Sequence, residues 1–107
     1  MYIEYGSLYK KSEKRIKKYH KELKTLDMIK NHIRQCSSFQ EMKKNPISNM
    51  YGFEALKYEL NGYHSFNLNR NRGVIRLILS IRENENVAVL EYISMNHYED
   101  FKKIRKV

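Results

Sequence analysis

Near Glu54 the spacing of apolar residues in this 107-residue chain changes from three-and-four to two. Upstream, Ile16, Tyr19, Leu23, Leu26, Ile29 and Ile33 form one apolar stripe at helical spacing. Downstream, Leu56, Tyr58 and Leu60 alternate with Lys57 and Glu59, as they would on a half-buried strand. A helical first half followed by a run of strands predicts an α+β domain rather than alternating βαβ units.

The stripe predicts one long helix over Ser12 to Gln35 with Ser12 as its N-cap, and Glu13 and Lys17 as an i,i+4 pair. Its other face carries Lys14, Lys17, Lys18, Lys21 and Lys24, which reads as a solvated surface or an RNA-facing one. Ser38-Phe39-Gln40-Glu41 has capping-box spacing and predicts a second, short helix. Pro46 is expected to end it, with a loop over Asn45 to Gly52. Beyond the strand at Glu54 to Leu60, Asn61-Gly62 predicts a type I′ hairpin. Tyr63 to Leu68 would be the return strand, with His64, Phe66 and Leu68 on one face. After the polar turn Asn69 to Gly73, Val74 to Arg82 is the most apolar strand and is expected to be central. Glu83 to Asn86 turns into a last strand, Val87 to Ser94. The result is a four-stranded antiparallel meander. Asn96 is expected to cap a short closing helix with Glu99 at its third position. The first five residues offer a further edge strand.

Composition limits the function classes. The length suits one domain, 1–107. The single cysteine, Cys36, allows no internal disulfide and suits a reducing, cytoplasmic setting. No apolar run suits a bilayer span, and no membrane partner is expected. Lys and Arg total 21 against 12 Asp and Glu, a formal charge of +9. That excess attracts polyanions, nucleic acid foremost, although an acidic protein partner also fits.

The residues that could carry chemistry lie in the second half. Arg76 sits inside Val74-Ile75-Arg76-Leu77-Ile78-Leu79, where an arginine must be paired or face a cleft. It is either a phosphate ligand or half of a salt bridge to a glutamate such as Glu54 or Glu91. His97-Tyr98 follows the last strand, where a proton donor and a stacking ring could sit at a strand end. Glu54, Lys57, Tyr63 and His64 lie on the first hairpin, and Arg70 and Arg72 in the next turn. The scattered histidines and lone cysteine have no metal-ligand spacing, so no metal or other cofactor is expected. Tyr51, Tyr58, Tyr63, Tyr92 and Tyr98 are candidates for core positions or a base-stacking platform.

In order, these residues resemble the RelE/ParE superfamily of toxins from type II toxin–antitoxin pairs. The resemblance rests on Phe53-Glu54-Ala55-Leu56-Lys57-Tyr58-Glu59-Leu60-Asn61-Gly62-Tyr63-His64-Ser65, on Val74 to Ile78, and on Tyr92 to Phe101. It looks most like the YoeB and HigB branches. It implies N-terminal helices packed on a four-stranded, mainly antiparallel sheet with a short C-terminal helix. It also implies a metal-independent endoribonuclease that cuts mRNA on the ribosome, by attack of the substrate's own 2′-hydroxyl. Glu54 resembles the general base, Arg76 the arginine at the phosphate, His97 the general acid and Tyr98 an orienting or stacking residue. Lys57, Tyr63, His64, Arg70 and Arg72 would contact RNA. The implied partners are a cognate antitoxin, which would set the oligomeric state, the ribosome and mRNA. Two alternatives stay open: a ParE-like inhibitor of DNA gyrase, and an RNA-binding module without cleavage. The helix after His97-Tyr98 departs from the YoeB pattern, in which those two residues end the chain, and is closer to HigB.

Overall fold

The structure, a computed structural model, describes residues 1–69 and 72–105, with the backbone alone at 105. A short strand, β1 (Tyr2–Tyr5), leads into α1 (Tyr9–Glu13), a 3-10 turn at Lys14–Ile16 and the long helix α2 (His20–Gln35). Two short helices follow, α3 (Phe39–Lys44) and α4 (Pro46–Met50). Then come β2 (Glu54–Ala55), a 3-10 turn at Tyr58–Leu60, β3 (Tyr63–Asn67), β4 (Arg76–Arg82), β5 (Val87–Ser94) and α5 (Glu99–Arg105). The α+β class is as expected. The sheet has five strands rather than four, in the order β1-β5-β4-β3-β2. The antiparallel meander is present with β4 at its centre, and β1 adds a parallel pairing along β5 that makes the sheet mixed.

Strand alternation divides the apolar residues between two faces. Phe66, Leu77, Leu79, Ala88, Leu90 and Ile93 point toward the helices and pack with Ile16, Leu26, Ile29, Ile33 and Met42. Ile78 and Tyr92 point the other way and pack with Leu56, Leu60, Tyr98 and Phe101. α5 and the loop after β2 therefore cover the second face, and the chemistry-bearing residues lie on that side.

The helical half differs from expectation in three places. The stripe from Ile16 to Ile33 is not one helix, because the chain breaks between Ile16 and His20. Ser12 is no N-cap: it lies inside α1, 3% exposed, and its Oγ accepts the Ile93 N–H at 2.9 Å. β1 has run out by that point on β5, so Ser12 pairs an edge amide that the sheet leaves open. Glu13 pairs with Lys30 at 3.1 Å rather than with Lys17. Ser38 does cap α3, accepting the Glu41 N–H at 3.1 Å. The expected loop after it is instead α4, with Pro46 at its start and Asn45 accepting the Ile47 N–H at 2.8 Å. Proline suits a first helical turn, where its missing N–H would have no partner.

The first hairpin also differs. β2 is two residues long, and Leu56 and Leu60 are carried inward by a 3-10 turn rather than by a strand. Asn61 has φ −55 and ψ 135 with Gly62 at φ +96, so this turn is of type II character and not I′. α5 begins at Glu99 itself, and the Asn96 Oδ1 accepts the Asp100 N–H at 2.9 Å. No helix among the described residues is long and apolar enough to cross a membrane.

Candidate active site

Glu54 opens β2 at the sheet's edge, paired with Ser65 of β3. Arg76 opens β4, between Asn67 and Ser94. Glu54, Ser65, Arg76 and Tyr98 meet on the second face of the sheet. The Tyr98 hydroxyl donates to Glu54 Oε1 at 2.8 Å and shares a 2.9 Å hydrogen bond with the Ser65 hydroxyl. Arg76 Nη1 stands 3.7 Å from Glu54 Oε1, and its guanidinium lies 5.7 Å from the Tyr98 ring centre. The two readings of Arg76 therefore meet in one place: it is paired with Glu54, and the pair is open to solvent on the carboxylate side. The Arg76 side chain is 14% exposed and that of Glu54 52%.

Arg76 is aimed from behind. Its Nε–H donates to the Gly73 carbonyl at 2.8 Å. Gly73 has φ +66, and a Cβ there would lie 3.1 Å from Arg76 Nη2. A side chain at 73 would thus be strained and would press on the guanidinium.

His97 and Tyr98 both have positive φ, +55 and +80. Two adjacent non-glycine residues in the left-handed region persist only where the surroundings hold them. Here the His97 N–H donates to the Val74 carbonyl at 2.9 Å, and the Tyr98 N–H to Ser94 Oγ at 2.9 Å. Ser94 Oγ in turn donates to Asp100, which also pairs with Arg15 at 3.3 Å. The tight turn buries Tyr98 and leaves His97 exposed, with the two ring centres 4.5 Å apart. Burial holds the Tyr98 phenol above its ordinary pKa; Ser65 opposes the shift, and the contact with Glu54 adds to it. Tyr98 therefore stays a neutral donor to the carboxylate.

Other expected site residues lie elsewhere. His64 is on the opposite, helix-facing side, stacked on Phe53 at 5.4 Å and edge-on to Phe39 at 5.1 Å. It stands apart from the cluster of Glu54, Arg76 and Tyr98 on the other face. Burial first, and Lys43 second, lower its pKa, and its buried Nδ1 lacks a hydrogen-bond partner. Tyr63 is half-buried with its ring edge-on to Phe101 at 5.3 Å, a packing role. Lys57 is exposed at the start of the 3-10 turn, and Arg72 is exposed in its own turn. Arg70 lies outside the described residues. Cys36 is 2% exposed, and burial pushes its thiol up to about 11, so it is an inert core sulfur. Sequence reasoning missed Ser65, Gly73, Ser94 and Asp100. Gly73, as the one glycine of a polar turn three residues before the strand arginine, carried the only usable signal.

The fold is shared with solved structures at low sequence identity. The crystal structure of YafQ from E. coli strain BL21(DE3) has a TM-score of 0.65 at 18% identity, over 87% of this chain and 90% of that one. An E. coli DinJ–YafQ complex gives 0.63 at 18% identity over the same shares. A YoeB/ParE toxin from Agrobacterium tumefaciens gives 0.61 at 13% identity, over 90% of this chain and 99% of that one. At these identities the likeness shows the fold. No protein-family model and no curated relative matches the sequence.

Proposed function

We propose that this protein is the toxin of a type II toxin–antitoxin pair and that it cuts mRNA on the ribosome. The observation that carries this reading is the cluster on one sheet face of Glu54, hydrogen-bonded by Tyr98 and ion-paired with Arg76, with the His97 ring against Tyr98. In-line attack on a phosphodiester needs a proton acceptor, a cation at the phosphate and a proton donor. Glu54 accepts the proton of the substrate's 2′-hydroxyl, whose oxygen attacks the adjacent phosphorus. Arg76 carries the charge that builds on the non-bridging oxygens. His97 gives a proton to the departing 5′-oxygen. The products are a 2′,3′-cyclic phosphate and a free 5′-hydroxyl, so the atoms balance with side chains in all three roles. An arriving phosphate competes with Glu54 for Arg76, which loosens the resting ion pair and frees the carboxylate to act as base.

The net charge of +9 suits both an RNA surface and an acidic antitoxin segment. One solved structure of the same fold is a DinJ–YafQ toxin–antitoxin complex, which supports an antitoxin as partner. Induced expression tests the reading. Wild type should arrest growth and give defined cuts within translated messages by primer extension, and Arg76→Ala or His97→Ala should do neither. Arrest with intact messages and altered DNA supercoiling would contradict it in favour of gyrase inhibition.

A further inference from the structure

Four residues beyond Glu54 an aromatic side chain is held in an unfavourable backbone conformation without being buried. Tyr58 has φ +56, in the left-handed region where a bulky residue is rarely found. The residue is 91% exposed, against 72% for Tyr2, the next among the large hydrophobic residues described. Strain of this kind survives where neighbouring structure imposes it, and it gathers at ligand clamps and active sites.

The neighbours do impose it. Leu56 and Leu60, on either side, are buried in the cluster that contains Tyr98 and Phe101. The Leu56 N–H donates to the Tyr63 carbonyl at 2.9 Å, and the Leu60 N–H to the Lys57 carbonyl at 3.2 Å. With both leucines drawn inward, the residue between them must point out. The other tyrosines of this half are committed to packing: Tyr51, Tyr92 and Tyr98 are buried, and Tyr63 packs against Phe101. Tyr58 alone among the five presents its ring to solvent, beside the exposed Lys57 and on a loop anchored to the Tyr98 cluster.

We propose that Tyr58 is a stacking platform for one base of single-stranded RNA bound across this face of the sheet. This rests on the reading that the Glu54–Arg76 site works on RNA. Stacking on a tyrosine face accepts any base and favours the larger purine face. Tyr58 would therefore favour RNA with a purine at one fixed position relative to the cut, while Arg76 and Glu54 act on the backbone common to all steps.

The test uses purified protein and a 2′-O-methyl RNA oligonucleotide, which cannot be cleaved because its nucleophile is blocked. A single 2-aminopurine is moved along it, since this base loses fluorescence when it stacks. Wild type and Tyr58→Phe should quench the probe at one position. Tyr58→Ala and Tyr58→Gly should lose that quench and bind about tenfold more weakly. Tyr58→Gly should melt no lower than wild type, because glycine adopts positive φ freely, so its loss of binding would not reflect unfolding. An undiminished quench in either variant, or no quench at any position in wild type, overturns the proposal. The cleavage reading stands or falls separately, on growth arrest and cut messages with Arg76→Ala as control.

Discussion

The Tyr98 hydroxyl donates to Glu54 Oε1 at 2.8 Å, joining the turn after the last strand to the sheet's far edge strand across 44 residues of chain. The same hydroxyl bonds the fully buried Ser65 on the strand between them. Tyr98 is thus a link that holds the carboxylate beside Arg76.

That link separates activity from stability. Tyr98→Phe keeps the ring and its packing but leaves Ser65 without its tyrosine partner and Glu54 without its donor. The variant should lose about 1–2 kcal/mol in urea unfolding. RNA cleavage should fall by about tenfold or more, the scale of a mispositioned general base. Unchanged cleavage would mean that the Tyr98 bond does not position Glu54.

Removing the guanidinium should divide the two readouts further. Arg76→Ala removes a largely buried guanidinium with its bonds to Gly73 and Glu54, which should cost folding about 1–3 kcal/mol. Cleavage should drop by about a hundredfold or more, since a preorganised cation at the phosphate is lost. Arg76→Lys keeps the charge without the fork that reaches both Gly73 and Glu54, and should recover only part of it. Thermal melting beside a cleavage assay checks both halves.

Gly73→Ala tests how Arg76 is aimed. The residue has φ +66, and a Cβ would stand 3.1 Å from Arg76 Nη2. The substitution should destabilise by about 1 kcal/mol, from backbone strain. It should also reduce cleavage by more than that loss of folded protein explains. Activity that tracks the folded fraction alone would count against the aiming role.

Two histidines, His32 buried and His64 half-buried, set a pH dependence of folding. Burial lowers the pKa of His64, with Lys43 adding to the effect, and burial lowers that of His32 against Glu41. A histidine whose folded pKa is depressed binds fewer protons folded than unfolded. Stability is then fully present above the unfolded value of 6.5 and is lost as pH falls from there through the folded values. The melting temperature should be lower at pH 5 than at pH 7.5. His64→Phe, which fits between Phe39 and Phe53 and removes the unpartnered Nδ1, should flatten that slope and be neutral or stabilising. A steeper slope in the variant would contradict this.

The open edge of β5 offers a test of the helix–sheet joint. Ser12→Ala leaves the buried Ile93 N–H without its partner and should cost about 1–3 kcal/mol in denaturant unfolding. A cost near zero would show that the edge finds another acceptor.

Much of this was legible in the sequence, and the failures have physical causes. β5 spans Val87–Ser94 as its alternation and flanking turns predict, and β4 is central because Leu77, Ile78 and Leu79 are buried on both faces. The break before His20 carries no glycine or proline. It comes from docking Ile16 and Ser12 on the sheet, which local spacing does not encode. Leu56, Tyr58 and Leu60 alternate like a strand, yet a 3-10 turn buries the same two leucines. At Asn45-Pro46 α3 ends as the proline predicts, but an asparagine cap before proline is also a start signal, and α4 stands where a loop is expected. Within the site, Glu54, Arg76 and Tyr98 were nameable because charge or a ring stood out in apolar strands. Ser65 and Ser94 were not, because a buried serine looks in sequence like any surface serine. Strand parity alone already places His64 with Phe66 and away from Ser65, as the structure has it.

The most direct measurement is the end chemistry of RNA cut in a translating extract supplied with purified protein. The account predicts new 5′ ends bearing hydroxyl and matching 3′ ends bearing 2′,3′-cyclic phosphate with wild type, and neither with Arg76→Ala. Messages left intact by wild type, or new ends that form equally with Arg76→Ala, would contradict it.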